Sequence, residues 1–449
     1  MQQFIYFHCS FDIQPLISEM MKYKTTIILT IIFIGQLWTA IAINHEAIAL
    51  AFTIASNQFG LDLLQRLSMK NDVQNIYFSP FILEKSLSMI YAATDGNTKY
   101  QLENVLHLYE LPYIDDVDGI IDAIRTICSR MNETNVLWNF LNLMVINSNI
   151  DFNPNYTTLV EENFQGKIVK INDMKDFTNQ FVEQFIHDKL LPQTFNLTAI
   201  NDDDDDGGGG GRQAIALINL ATFRAKWLDP FDKRQTRIGF FHGSNGEKYS
   251  NVQYMFKDGP FPHLYLPDMD ADMIMIKFFD DKLAFIGIVP RLIEMNLNRI
   301  HRSLSSLYLY YLIAKLNKTS ATEFGLFLPR MDIEGTYENL SADLQTMGIE
   351  DLFNPYCSNL TIGLFDNKTN NDESTASSMW IDHVYHQSRI ILDEYGVGNQ
   401  EFDLNSKINH IIVEQRQSLP ILKFDHPFIF FINHIESGQI LFIGEVQRL

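Results

Sequence analysis

Cysteine is nearly absent: 449 residues carry three, Cys9, Cys128 and Cys357. So few exclude a disulfide-built framework, and their spacing supplies no Cys-x-x-Cys metal or redox motif. Basic residues are scarce too, with 34 Lys and Arg against 55 Asp and Glu and a formal net charge of −21. A phosphate-backbone binder needs clustered cations, so nucleic acid is excluded as a partner. The acidity reads as a solvated surface that favours solubility. No Gly-x-Ser-x-Gly elbow, His-Glu-x-x-His pair or phosphate-cradling glycine loop occurs. No nucleophile stands beside a base in a recognisable context, so the chain is not expected to be an enzyme, and no cofactor or metal is expected. His383 and His386 are three apart in a predicted strand, which puts them on opposite faces rather than on one metal.

Long apolar runs are missing with one exception. Met21-Lys-Tyr-Lys24 precedes the run Ile27–Trp38 and then Ala40-Ile41-Ala42. That order of basic, apolar and small residues predicts a signal peptide over residues 21–42, with 1–20 as an upstream extension. A signal anchor is the alternative, because the apolar stretch reaches Ile43. Cleavage after Ala42 would make the protein secreted and extracellular, with no membrane attachment. Seven Asn-x-Ser/Thr sequons occur, at Asn132, Asn155, Asn196, Asn317, Asn339, Asn359 and Asn367. Composition alone gives roughly four, so the excess of these glycosylation acceptors supports secretion weakly. Cys128 and Cys357 are expected either to pair or to stay as two buried thiols.

Apolar residues at helical spacing (Ile48, Phe52, Ala55, Phe59, Leu63) predict an amphipathic helix over residues 45–67. Further helices are predicted over 118–130 and 176–190, a buried strand over 140–150 and another over 380–393. Asp202–Asp206 followed by Gly207–Gly211 is a flexible, solvated insertion: five like charges repel, and five glycines lose the most entropy on ordering. The segment 354–378, rich in Asn, Ser, Thr and Asp, is predicted to be a surface loop. Near the C-terminus, Phe424-Asp-His-Pro-Phe-Ile-Phe-Phe-Ile432 and Gly438-Gln-Ile-Leu-Phe-Ile-Gly-Glu-Val446 are apolar runs joined by Glu436-Ser437-Gly438, a buried strand pair.

That last block resembles the C-terminal signature of the serpins, the serine protease inhibitor superfamily. Four further blocks are similar in family order. They are Asn75-Ile-Tyr-Phe-Ser-Pro80 with Ser86–Ala92; Gly96-Asn-Thr98 with Gln101 and Leu102; Asn219-Leu-Ala-Thr-Phe-Arg-Ala-Lys-Trp227 with Pro230, Phe231 and Thr236; and Leu328-Pro-Arg-Met-Asp-Ile-Glu-Gly-Thr336 with Leu344 and Gly348–Phe353. The resemblance implies an α+β serpin fold of three β-sheets and about nine helices, with residues 43–449 as one domain. It implies a monomer whose exposed reactive loop, about 395–420, meets an extracellular serine protease. It also places Ser79, Asn219 and His386 in a polar cluster beneath the main sheet, and Trp227 near the top of its opening.

In the family, a cleaved loop inserts into that sheet as a new strand and drags the acylated protease with it. Glu394-Tyr395-Gly396 would precede the hinge, here Val397-Gly398-Asn399-Gln400-Glu401-Phe402-Asp403-Leu404. Strand side chains alternate, so with Val397 inward, Asn399, Glu401 and Asp403 also point into the core. Burying an unpaired carboxylate costs several kcal/mol and an unpaired amide about 1–3 kcal/mol. A slip of one residue would bury Phe402 and Leu404, together with Gln400. The loop is long, with 33 positions from Glu394 to Pro427. The family's spacing puts the scissile bond at His410-Ile411, with Lys407-Ile408 and Arg416-Gln417 as alternatives. The expected function is a non-inhibitory or pseudo-inhibitor serpin that acts by binding or as a decoy; the alternative is a working suicide inhibitor.

Overall fold

The computed structural model describes residues 45–70, 74–111, 117–134, 136–147, 153–171, 213–360, 379–398 and 419–449. Eight α-helices occur among them: α1 (His45–Ser68), α2 (Pro80–Tyr91), α3 (Gly96–Val105), α4 (Val117–Asn132), α5 (Pro154–Thr158), α6 (Asn298–Ser303), α7 (Ser306–Lys318) and α8 (Ser341–Met347). The predicted helix at 176–190, the 202–211 tract, the signal-like stretch and the scissile candidates Lys407, Ile408, His410, Ile411, Arg416 and Gln417 lie outside the described residues. So do Asn399, Glu401 and Asp403.

The C-terminal runs form β15 (Phe428–His434) and β16 (Ile440–Val446), every residue of both buried. The predicted turn is there, with Gly438 at φ +74 beside the Tyr310 ring, where a side chain would be both strained and obstructed. β16 pairs with β1 (Ile76–Phe78), and β15 pairs with β9 (Leu283–Pro290), which continues to β8 (Ala271–Lys277) and β7 (His263–Leu266). Strands buried along their whole length read as continuous apolar runs rather than alternations, which is why Phe428–Ile432 signals so strongly. A second sheet runs β14 (Ile421–Lys423), β10 (Thr322–Pro329), β6 (Lys248–Phe261), β5 (Arg237–His242).

The third and main sheet runs β11 (Met331–Tyr337), β12 (Met379–Asp393), β13 (Gly396–Val397), β4 (Gln213–Lys226), β2 (Leu137–Asn147), β3 (Lys167–Ile171). The strand expected at 140–150 therefore starts three residues earlier. β1 crosses the back of this sheet so closely that a side chain at Gly335 would strike the Tyr77 carbonyl. Ser388 Oγ donates to that same carbonyl at 2.9 Å.

Helices α1 and α2 cross where Gly60 meets Pro80. Ser79 caps α2 by accepting from Ile82 N, and Pro80 at the first position needs no partner for an amide it lacks. One turn along the crossing sits Glu84, wholly buried, with the Ser56 hydroxyl beside it and its carboxyl oxygens otherwise unpartnered. Burial holds this carboxyl well above the ordinary carboxylate range. The folded chain thus keeps a proton that the unfolded chain releases above about pH 4.5, and each further pH unit costs roughly 1.4 kcal/mol until Glu84 itself ionises. Glu84→Gln is expected to add about 1–3 kcal/mol at pH 7 and almost nothing at pH 4. Urea unfolding at both pH values checks it; an equal effect at both would place the cause in packing, not protonation.

The cysteine expectation needs correction. Cys128 and Cys357 do not pair, and only Cys128 is buried, because Cys357 sits in an exposed turn after α8. Of the sequon asparagines, Asn132, Asn155, Asn317 and Asn339 are exposed and Asn359 is half-buried. Asn196 and Asn367 fall outside the described residues.

Candidate functional site

β12 and β4 lie side by side in parallel, from Met379 opposite Gln213 to Arg389 opposite Thr222. Beyond Arg389 they part, and the two-residue β13 fits between them. Val397 stands opposite Leu392 on one side and Ala225 on the other; Gly396 stands opposite Asp393 and Lys226. Val397 is fully buried. Gly396 has φ +147 and presses on the Ala225 carbonyl, so no side chain fits there.

Around this wedge the chain builds a buried polar lock. Glu394 is 1% exposed and takes four contacts of 2.6–3.0 Å from the Arg330 guanidinium. Thr236 Oγ1 also donates to Glu394, and Arg330 Nη1 donates to Gln253 Oε1 at 2.5 Å. The backbone joins in: Phe231 N donates to the Glu394 carbonyl and Trp227 N to the Tyr395 carbonyl, both at 2.9 Å. Trp227 Nε1 donates to the Asp393 carbonyl at 2.9 Å, and its ring stacks on Phe278 at 4.9 Å. Trp227 therefore sits where β12 and β4 part, against the Asp393 and Tyr395 carbonyls.

Further down, Asn142, Asn219, His386 and Tyr337 are cross-strand partners in one row across β2, β4, β12 and β11. A row in register shares one face. Ser79 N donates to His386 Nε2 at 3.1 Å and Ser79 Oγ to the Leu441 carbonyl at 2.7 Å. Since Nε2 accepts, the neutral imidazole carries its proton on Nδ1, which has no acceptor. Burial pushes the His386 pKa down to about 3. Asn219 Nδ2 donates to the Tyr385 carbonyl at 3.2 Å while its Oδ1 lacks a donor. Neither amide atom of Asn142 has a partner. Each such group costs about 1–3 kcal/mol where it stands. His383 points away, exposed enough to pair with Asp382 at 2.6 Å, so the two histidines do sit on opposite faces.

Ser79, Asn219 and His386 are thus brought together, and Trp227 and Glu394 converge on β13. Sequence reasoning missed Asn142, Arg330, Gln253 and the role of Thr236. Asn142 stands between Leu141 and Leu143 in the largely apolar β2, and a polar residue among such neighbours was the available signal. Arg330 is 64 positions from Glu394, and nothing local pairs them.

Comparison with known proteins agrees with this architecture. Residues 54–449 match the sequence pattern described as Serpin (serine protease inhibitor). Intracellular coagulation inhibitor 2 of Tachypleus tridentatus is 25% identical over 403 residues, 88% of this chain and 90% of that one. The leukocyte elastase inhibitor of Homo sapiens is 23% identical over 399 residues, 87% of this chain and 97% of that one. Among solved structures, uncleaved ovalbumin superposes with a TM-score of 0.70 at 20% identity, over 88% of this chain and 98% of that one. The secreted, extracellular location expected from residues 21–42 is overturned by these relatives, the first of which is by name an intracellular inhibitor. With a family pattern that begins inside α1 and ends at the last residue, laid on this three-sheet fold, the chain belongs to the serpins, the serine protease inhibitor family.

Proposed function

We propose that this serpin binds serine proteases and is cut by them as a substrate or decoy, because its hinge inserts poorly at neutral pH. Residues 43–449 act as one domain in this reading, with the 202–211 tract as a surface insertion. The observation that carries it is the burial of Val397 between Leu392 and Ala225. It sets the parity of everything that would follow. Each two residues along an inserting hinge move two residues back along both β12 and β4. Asn399 would then come opposite Ile390 and Phe223, Glu401 opposite Ser388 and Ala221, and Asp403 opposite His386 and Asn219. All three polar residues would share the inward face with Val397. Each unpaired carboxylate costs several kcal/mol, and insertion has to outrun deacylation of the protease.

The test is incubation with trypsin-like and chymotrypsin-like proteases at pH 7.4, followed by boiling and electrophoresis. A nicked chain with no covalent complex is expected; a boil-resistant complex as the main product overturns the decoy reading. One observation favours a second reading, the suicide inhibitor. Asp403 would land opposite the one imidazole in the row whose Nδ1–H has no acceptor. Protonated, that ring would pair with the carboxylate, so inhibition would return in acid.

A further inference from the structure

Lys85 of α2 is a fully buried lysine. Among the described residues no carboxylate lies within ion-pair distance of it. Its Nζ donates to Gln165 Oε1 at 2.9 Å, lies 4.1 Å from the centre of the Phe140 ring, and stands 3.9 Å from Cys128 Sγ. Gln165 holds a left-handed backbone, φ +50, between the turn after α5 and β3, and so aims its amide oxygen at the amine. Cys128, on α4, is 7% exposed. An ammonium without a counter-ion is expensive to bury, and burial pushes Lys85 down to about 8. About a fifth of the amine is therefore uncharged at pH 7.4, with a free lone pair beside a sulfur atom. Burial raises the thiol, while the lysine beside it opposes that shift. The thiol is slow to react on its own, and the amine is the base at hand to take its proton.

We propose that Lys85 and Cys128 form an oxidation-triggered covalent cross-link, in which the lysine amine captures Cys128 once a peroxide has turned its thiol into a sulfenic acid. In the first step Cys128–SH and one hydrogen peroxide give Cys128–SOH and one water; sulfur is oxidised and the peroxide reduced. In the second, the Lys85 lone pair attacks sulfur and the S–O bond breaks. The leaving hydroxide departs as water with an amine proton, which yields a Cys128 S–N Lys85 link. No second oxidant is consumed. The link ties α2 to α4 behind Phe140 of β2, closing a loop between positions 43 apart in sequence.

The experiment uses the full chain with Cys9→Ser and Cys357→Ser, so that Cys128 is its one thiol. It is exposed to hydrogen peroxide, then dimedone, and digested without reductant for mass spectrometry. The expected product is a Lys85–Cys128 linked peptide lighter by two hydrogens and released by dithiothreitol. Dimedone labelling of Cys128 should be about tenfold lower than in the same chain carrying Lys85→Arg, which keeps the charge but cannot close the link. The linked protein should also melt about 5 °C higher, as expected for closing a loop of this length. Equal dimedone labelling in the two chains, a Cys128 oxidised to sulfinic acid, or a Cys128 left unmodified would each overturn the proposal. The linked peptide is read on the chain that retains Lys85, so a poorly folding Lys85 variant does not protect it.

Discussion

Glu394→Gln is expected to destabilise the protein by about 3–5 kcal/mol, the usual effect of stripping one partner from a buried ion pair. The side chain keeps its shape, so the change isolates charge. Arg330 is 4% exposed as a side chain and has Glu394 as its one carboxylate partner among the described residues, with Gln253 as its other side-chain acceptor. Without the carboxylate its charge stays buried and half-satisfied, and Thr236 Oγ1 loses a strong acceptor. The pair need not stabilise much in itself. Replacing both members, Arg330→Met with Glu394→Leu, should recover most of the loss, since desolvation of two ions is then no longer required. Urea unfolding of the two single variants and the double variant measures the coupling. A Glu394→Gln loss below about 1 kcal/mol would show that the lock around β13 rests on Trp227 and the backbone bonds instead.

The order of elements was legible because five blocks keep their sequence and because buried strands such as β15 are apolar throughout. The α1 helix was legible from apolar spacing, and the observed ends of α1 and α4, His45–Ser68 and Val117–Asn132, differ from the expected ones by at most two residues. What was hidden has a common cause. The lock joins Glu394, Arg330, Thr236 and Gln253 across long stretches of chain, and strand register brings Asn142 beside Asn219 and His386, which only the resemblance had singled out. Neither separation leaves a local signal. Nothing in the sequence marks Glu84 and Lys85 as buried charges, yet α2 is buried on every side. Only packing on α1, β2 and β16 reveals that. Secretion was misread because an apolar run behind two lysines satisfies a composition rule that says nothing about where relatives of the chain reside.

Loop insertion is expected to depend on pH through the carboxylates it buries, above all through one residue pair. In the closed sheet His386 is neutral, with its pKa at about 3. If the hinge inserts in the register that Val397 begins, the Asp403 carboxylate arrives opposite that ring and favours its charged form. The imidazole pKa is then higher in the inserted state than in the closed one. Proton uptake accompanies insertion, so insertion gains free energy as pH falls, by at most about 1.4 kcal/mol per unit below the inserted-state pKa. The loop is nicked near Lys407 or His410, and thermal unfolding is compared before and after. At pH 7.4 the rise in Tm should be small; at pH 5 it should be clearly larger. Asp403→Asn should shrink that difference, whereas Glu401→Gln, opposite Ser388 rather than an imidazole, should raise Tm after cleavage most at pH 7.4, because a buried unpaired carboxyl takes up a proton as pH falls. The combined Asn399→Ala, Glu401→Ala and Asp403→Ala variant removes the first three polar side chains from the inward face. It should gain about 10 °C on cleavage at pH 7.4, the scale set by several kcal/mol per carboxylate in a domain this large. A large, pH-independent gain in the unsubstituted protein would mean that the polar hinge residues find other partners on insertion. The suicide-inhibitor reading would then replace the decoy.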